Sequence, residues 1–229
     1  MLNFFQIFKS NDDRRAKFDH VMDFASDLAS TNPSALVDLV RLLLRQLQAD
    51  LLFSCIEMEM HGARSSILSH AFFMPNGPSK LQMAFDAPEL DVDQYLVQLR
   101  HDAVLPCPWH RERYVNCLSF IGSGKNMGNW KEDSINHRIT VWLPWGIAFV
   151  NGGNHSIAAG IASGEGVLKP KAVYDMSKLL DQVHCDGLYY RSSETGKKLD
   201  SVRDYKIAAL FEIGRLMKIH SISPMKIVT

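Results

Sequence analysis

Gly152, Gly153, Asn154, His155 and Ser156 follow directly on the apolar run Ile147 to Val150 and lead into the small residues Ala158, Ala159, Gly160 and Ala162. Paired glycines let a backbone come close to a ligand and adopt conformations that a β-carbon forbids. A helix starting at Asn154 or His155 turns its free N–H groups and the positive end of its dipole outward, where a phosphate or another anion is stabilised. Asn154 and Ser156 add short donors, and His155 can donate, accept or titrate near neutral pH. Anion binding is the chemistry expected, with His155 and Asn154 as catalytic candidates and Gly152, Gly153 and Ser156 as ligand-binding ones. A plain strand-to-helix turn has the same spacing, with Asn154 only capping the helix and His155 an ordinary surface group.

The elements that must hold this turn can be read from hydrophobic periodicity. Phe18, Val21, Met22, Ala25, Leu28 and Ala29 predict an amphipathic helix over residues 13–29, with Asn11 and Asp12 as caps. Asn32 and Pro33 restart the chain, and Leu36, Leu39, Val40, Leu43, Leu47 and Leu51 continue a stripe down a second helix ending near Gly62. A turn cluster from Met74 to Pro78 suggests short strands on either side. Residues 91–99 read as a short helix or strand, 104–108 as extended chain, 109–121 as a helix and 122–128 as a connection. β-branched and aromatic residues make 138–143 a strand. Pro144 and Gly146 turn the chain into a second strand at 147–150, and the small-residue helix of 155–163 stops at Gly164. A helix near 174–183, a strand at 187–191, a hairpin turn at Glu194 to Gly196 and a final helix at 205–217 complete the chain. The expected class is α+β: a helical N-terminal region, residues 1–62, followed by a mixed α/β domain, residues 63–229, with a small mixed-sheet core and a C-terminal α/β extension.

Composition limits the partners. With 25 basic and 25 acidic residues in 229, no global field argues for nucleic acid. No apolar stretch approaches the roughly 20 residues of a spanning helix, and the apolar start Met1 to Phe8 has no preceding basic residue, unlike a secretory signal. A cytoplasmic location, with no membrane partner, is the expectation. Cys55, Cys107, Cys117 and Cys185 are irregularly spaced and read as reduced core thiols. Cys107, His110 and Cys117 lack a second ligand pair of zinc-site spacing, so no metal site is expected. The stretch Gly122 to Lys125 departs from a phosphate-binding loop, with Ser119 at the first glycine position and Asn126 where Ser or Thr would hold magnesium.

The segment from Phe149 to Ala159 resembles the strand-turn-helix signature of the ParB/sulfiredoxin-like superfamily, in which the turn binds nucleotide phosphates. The specific part of the match is about ten residues within roughly 100–165. The resemblance implies a nucleotide or phosphate ligand, with a nucleoside triphosphate and Mg2+ as the expected cofactor, and phosphoryl chemistry on a triphosphate or on nucleic acid. Sulfiredoxins have a catalytic cysteine where this chain has Asn154, so their reaction is not expected, and the usual phosphate-binding arginine falls at Ser156. Such domains often place an arginine upstream of the turn, which nominates Arg111 and Arg113 on the helix starting near Trp109. A guanidinium fork suits phosphate oxygens, and Trp109 is grouped with these ligand-binding candidates. The alternative for each arginine is a solvated helix face. Asn129, Trp130 and Asp133 to His137 precede the strand pair and could close over the same site, with His137 or Asp133 as metal or proton-transfer groups; the alternative is a plain loop role. Stretches at 108–113, 142–146 and 211–215 resemble an uncharacterised bacterial family. The competing reading is a non-catalytic regulatory module whose N-terminal helices bind a protein partner.

Overall fold

The computed structural model describes residues 4–57, 71–76 and 87–227. Its helices are α1 (Phe4–Thr31), α2 (Leu36–Glu57), α3 (Arg111–Phe120), α4 (Asn154–Ser163), α5 (Ser177–Gln182) and α6 (Tyr205–Ile219). Its strands are β1 (Val97–Gln98), β2 (Ala103–Leu105), β3 (Arg138–Leu143), β4 (Ile147–Gly152), β5 (Val167–Leu168), β6 (Ala172–Asp175), β7 (Val183–Cys185), β8 (Tyr189–Ser192) and β9 (Lys198–Ser201). The class is mixed α+β, with N-terminal helices and several small sheets.

The chain forms two compact units, each assembled from separated segments: residues 1–43, 68–88 and 175–222 in the first, and 44–67, 89–174 and 223–229 in the second. The boundary expected at residues 62–63 lies outside the described residues, and α2 contributes to both units. Contacts distant in sequence decide such a division, and local periodicity carries no record of them.

In the first unit α1 packs along α6. α1 does not begin behind Asn11 and Asp12; the helix runs through them from Phe4. An exposed ion pair one turn apart, Asp13 with Lys17 at 2.7 Å, accompanies that continuation. Phe211 of α6 anchors the core, edge-on to Phe73 at 5.1 Å and to Tyr190 at 5.4 Å. The helix expected near 174–183 is α5, shorter at both ends. Residues up to Asp175 belong to β6, only the short α5 is helical, and the chain returns to strand at Val183. Arg215 explains the stop, because its guanidinium donates to the carbonyls of Leu180 and of Val183, the latter at 2.7 Å. Strands β7, β8 and β9 form an antiparallel sheet in that order.

The second unit is built on a four-stranded sheet of order β2-β4-β3-β6. β3 and β4 form an antiparallel hairpin, while β2 runs parallel to β4. Val104, Ile139, Val141, Ala148, Ile157 and Leu168 share one buried cluster with Trp130, so the near-continuous apolar character of β4 reflects its central place. Residues 91–99 are a 3-10 turn, Val92–Gln94, followed by β1, which pairs with β5. The expected end of α2 near Gly62 and the strands around the Met74 turn lie outside the described residues.

Candidate functional site

Parallel neighbours β2 and β4 end on the same side of the sheet, where antiparallel β3 begins. Three segments therefore meet at one sheet end: 106–110 after β2, 136–138 before β3 and 152–156 after β4. The C-terminal ends of parallel strands are where α/β sheets usually hold ligands.

The two glycines are required by the chain's own packing. Gly153 is left-handed at φ 75°, and a β-carbon on it would stand 2.4 Å from Cδ2 of His137. One on Gly152 would stand 2.6 Å from the Asn136 carbonyl oxygen. Gly153 is also the cap of α4, and no side chain caps the helix. The sequence expectation that Asn154 could fill that role is corrected, because its Oδ1 accepts from the backbone N–H of Cys107 at 2.7 Å.

His155 is tied to the same loop. Its Nε2 accepts from the backbone N–H of His110 at 3.0 Å and of Trp109 at 3.3 Å. The ring proton therefore sits on Nδ1. Trp109 stands edge-on to His155 at 5.7 Å. Burial depresses the His155 pKa first, and the neighbouring His110 and Arg113 add to the depression. Neutral imidazole is the form that accepts.

Of the two arginines, Arg113 is the one over Trp109. Its guanidinium carbon lies 5.8 Å from the Trp109 ring centroid, and its charge acts on His155. Arg111 instead donates to the carbonyl of Ile56 at 3.1 Å. His110 caps α3, its Nδ1 accepting from the N–H of Arg113 at 3.4 Å.

His137 is 2% exposed, stacked on Trp130 at 4.8 Å, with Nδ1 accepting from the N–H of Asp133 at 2.9 Å. Burial lowers its pKa, and Asp133 and Glu132 pull the other way. In this position it holds the 133–137 loop against the glycine turn. Ser156 contributes its carbonyl to Trp130 Nε1 at 2.8 Å.

Sequence reasoning had placed Trp130 beside this site but missed Glu165, which braces it. The Glu165 carboxylate accepts from the N–H groups of Ser123 at 2.8 Å and Trp130 at 2.9 Å, which lowers its pKa. Gly160 and Gly166 supply local signals, since a β-carbon would lie 2.9 Å from the Trp130 ring on the first and 2.5 Å from it on the second. Lys125, from the discarded phosphate-loop look-alike, donates to the Leu118 carbonyl at 2.6 Å. Among the described residues no three His, Cys, Asp or Glu side chains converge to hold a metal ion, and no helix is long and apolar enough to cross a membrane.

The architecture defines a mixed α+β protein in which a glycine turn joins a central strand to an uncapped helix, braced by two neutral histidines. The chain belongs to the family of unknown function DUF6710, which matches residues 4–223. No curated protein and no solved structure matches it.

Proposed function

We propose that the protein binds a phosphate-bearing ligand, a nucleotide in the first instance, at the start of α4. One observation carries this reading: α4 begins behind a left-handed glycine with no side-chain cap, beside the cations of the Trp109 to Arg113 segment. The first-turn N–H groups of Asn154, His155 and Ser156 would hold phosphate oxygens. Arg113 would supply the charge that the Ser156 position lacks. Asn154 and His155 would act by fixing the 107–110 loop in place, not by touching the ligand with their accepting atoms. The ParB/sulfiredoxin-like reading of the turn supports a nucleotide over a bare anion. The four free thiols suit action in a reducing cytoplasm.

Phosphoryl transfer at this corner would use the His155 Nδ1 as its proton-handling atom, because Nε2 is engaged by two backbone donors. No protein cage for Mg2+ converges among the described residues, so a divalent ion would arrive on the phosphates. The second reading, a partner-binding module, is favoured by one observation: Leu42, Phe53 and Ile56 are exposed on α2.

Isothermal titration of the full chain with inorganic phosphate and a panel of nucleoside mono-, di- and triphosphates tests the proposal. Arg113→Ala is expected to weaken binding about tenfold, equivalent to ~1.4 kcal/mol, while Arg111→Ala leaves it within about twofold. Absence of heat with every compound at millimolar concentration would sink it.

A further inference from the structure

The outer face of the β7-β8-β9 sheet carries a row of side chains that sheet stability does not favour. The register aligns His184 with Arg191 and Arg191 with Lys198, so one row across three strands sets the charged side chains of Arg191 and Lys198 opposite each other, beside His184. Like charges directly opposite each other destabilise a sheet. Tyr189 lies two residues before Arg191 on β8 and so points to the same face. The Lys198 ammonium is 4.1 Å and the Arg191 guanidinium 5.2 Å from its ring centroid. Tyr190, between them, is buried on the other face. Asp186 pairs with Arg191 at 2.8 Å, which offsets one charge and fixes the guanidinium. Lys198 and its neighbour Lys197 are exposed.

We propose that this face binds single-stranded nucleic acid, one base stacking on Tyr189 while the flanking phosphates meet Lys198, Arg191 and His184. Tyr189 is half-buried, and an aromatic on an open sheet face bordered by cations is a stacking platform that tolerates any base because every base has a π-face. Strands about 4.8 Å apart spread the cations along a line that a flexible phosphate chain can follow. Charge complementarity alone would also admit an acidic peptide, but a peptide without aromatic planes leaves the Tyr189 ring unused. A duplex hides its base faces. The proposal is independent of the phosphate site at α4. In the sequence these residues lie scattered over 184–198, and only strand register puts them in one row.

Fluorescence anisotropy of the full chain with a labelled oligothymidylate of about 15 nucleotides, at about 50 mM salt, is the test. Saturable binding that weakens with salt is expected. Tyr189→Ala should lower affinity at least about fivefold and Tyr189→Phe should retain it. Lys198→Gln, at an exposed position, should lower the salt slope by about 1. No saturable binding would overturn the proposal. Unchanged affinity in both Tyr189→Ala and Lys198→Gln, equal binding of a duplex of the same length, or equal competition by polyglutamate would also overturn it.

Discussion

At the scale of single residues, the two histidines beside the glycine turn act as acceptors. His155 takes two backbone N–H groups and His137 takes one. Removing a partner from a buried donor costs about 1–3 kcal/mol, so His155→Ala should lower stability by roughly that amount in urea denaturation. It should also release the 107–110 loop to faster amide exchange. Protonation makes the same change from the solvent side. Both imidazoles have pKa values below the usual 6.5 in the folded chain, so the unfolded chain takes up protons first as pH falls. Their contribution is complete above about pH 6.5 and declines below it. Denaturant midpoints should drop between about pH 6.5 and 5, and less steeply in His155→Gln than in the parent chain. A flat midpoint across that window would show that neither imidazole is held neutral. Gly153→Ala forces a β-carbon into the left-handed region and onto His137; a loss of about 2 kcal/mol or more is expected, read as a lower urea midpoint.

Elements tell a different story from residues. β3, β4, α3 and α4 were legible in the sequence because their signals are local: β-branched runs, three-and-four spacing and glycine punctuation. α4 ends at left-handed Gly164, whose N–H bonds back to the Ile161 carbonyl at 3.1 Å, as its sequence predicts. The helix expected near 174–183 is present as α5 but shorter at both ends, and Arg215 of α6 takes the carbonyls of Leu180 and Val183. Within α6, Phe211 packs edge-on against two aromatic rings and is fully buried. Phe211→Ala should cost about 3–5 kcal/mol, measured by thermal or urea unfolding. A loss under about 1 kcal/mol would place the centre of that core elsewhere.

At the scale of the whole molecule, residues 1–43 join residues 175–222 in the first unit. α1 packs along α6, so residues 1–62 expressed alone should lack a stable α1, with circular dichroism of a largely unfolded peptide. A cooperative thermal transition in that fragment would instead support a separate domain ending at residue 62. The sequence by itself determined the α+β class, most helix and strand positions, and the strand-to-helix turn at Gly152 and Gly153. All of these rest on interactions within a few residues. Only the tertiary structure decided what the turn's side chains do. Asn154 and His155 face backbone donors some 45 residues away in sequence, Arg113 rather than Arg111 stands beside them, and His137 stacks in the core. Such pairings are fixed by parallel strand alignment and close packing, which leave no periodic trace along the chain.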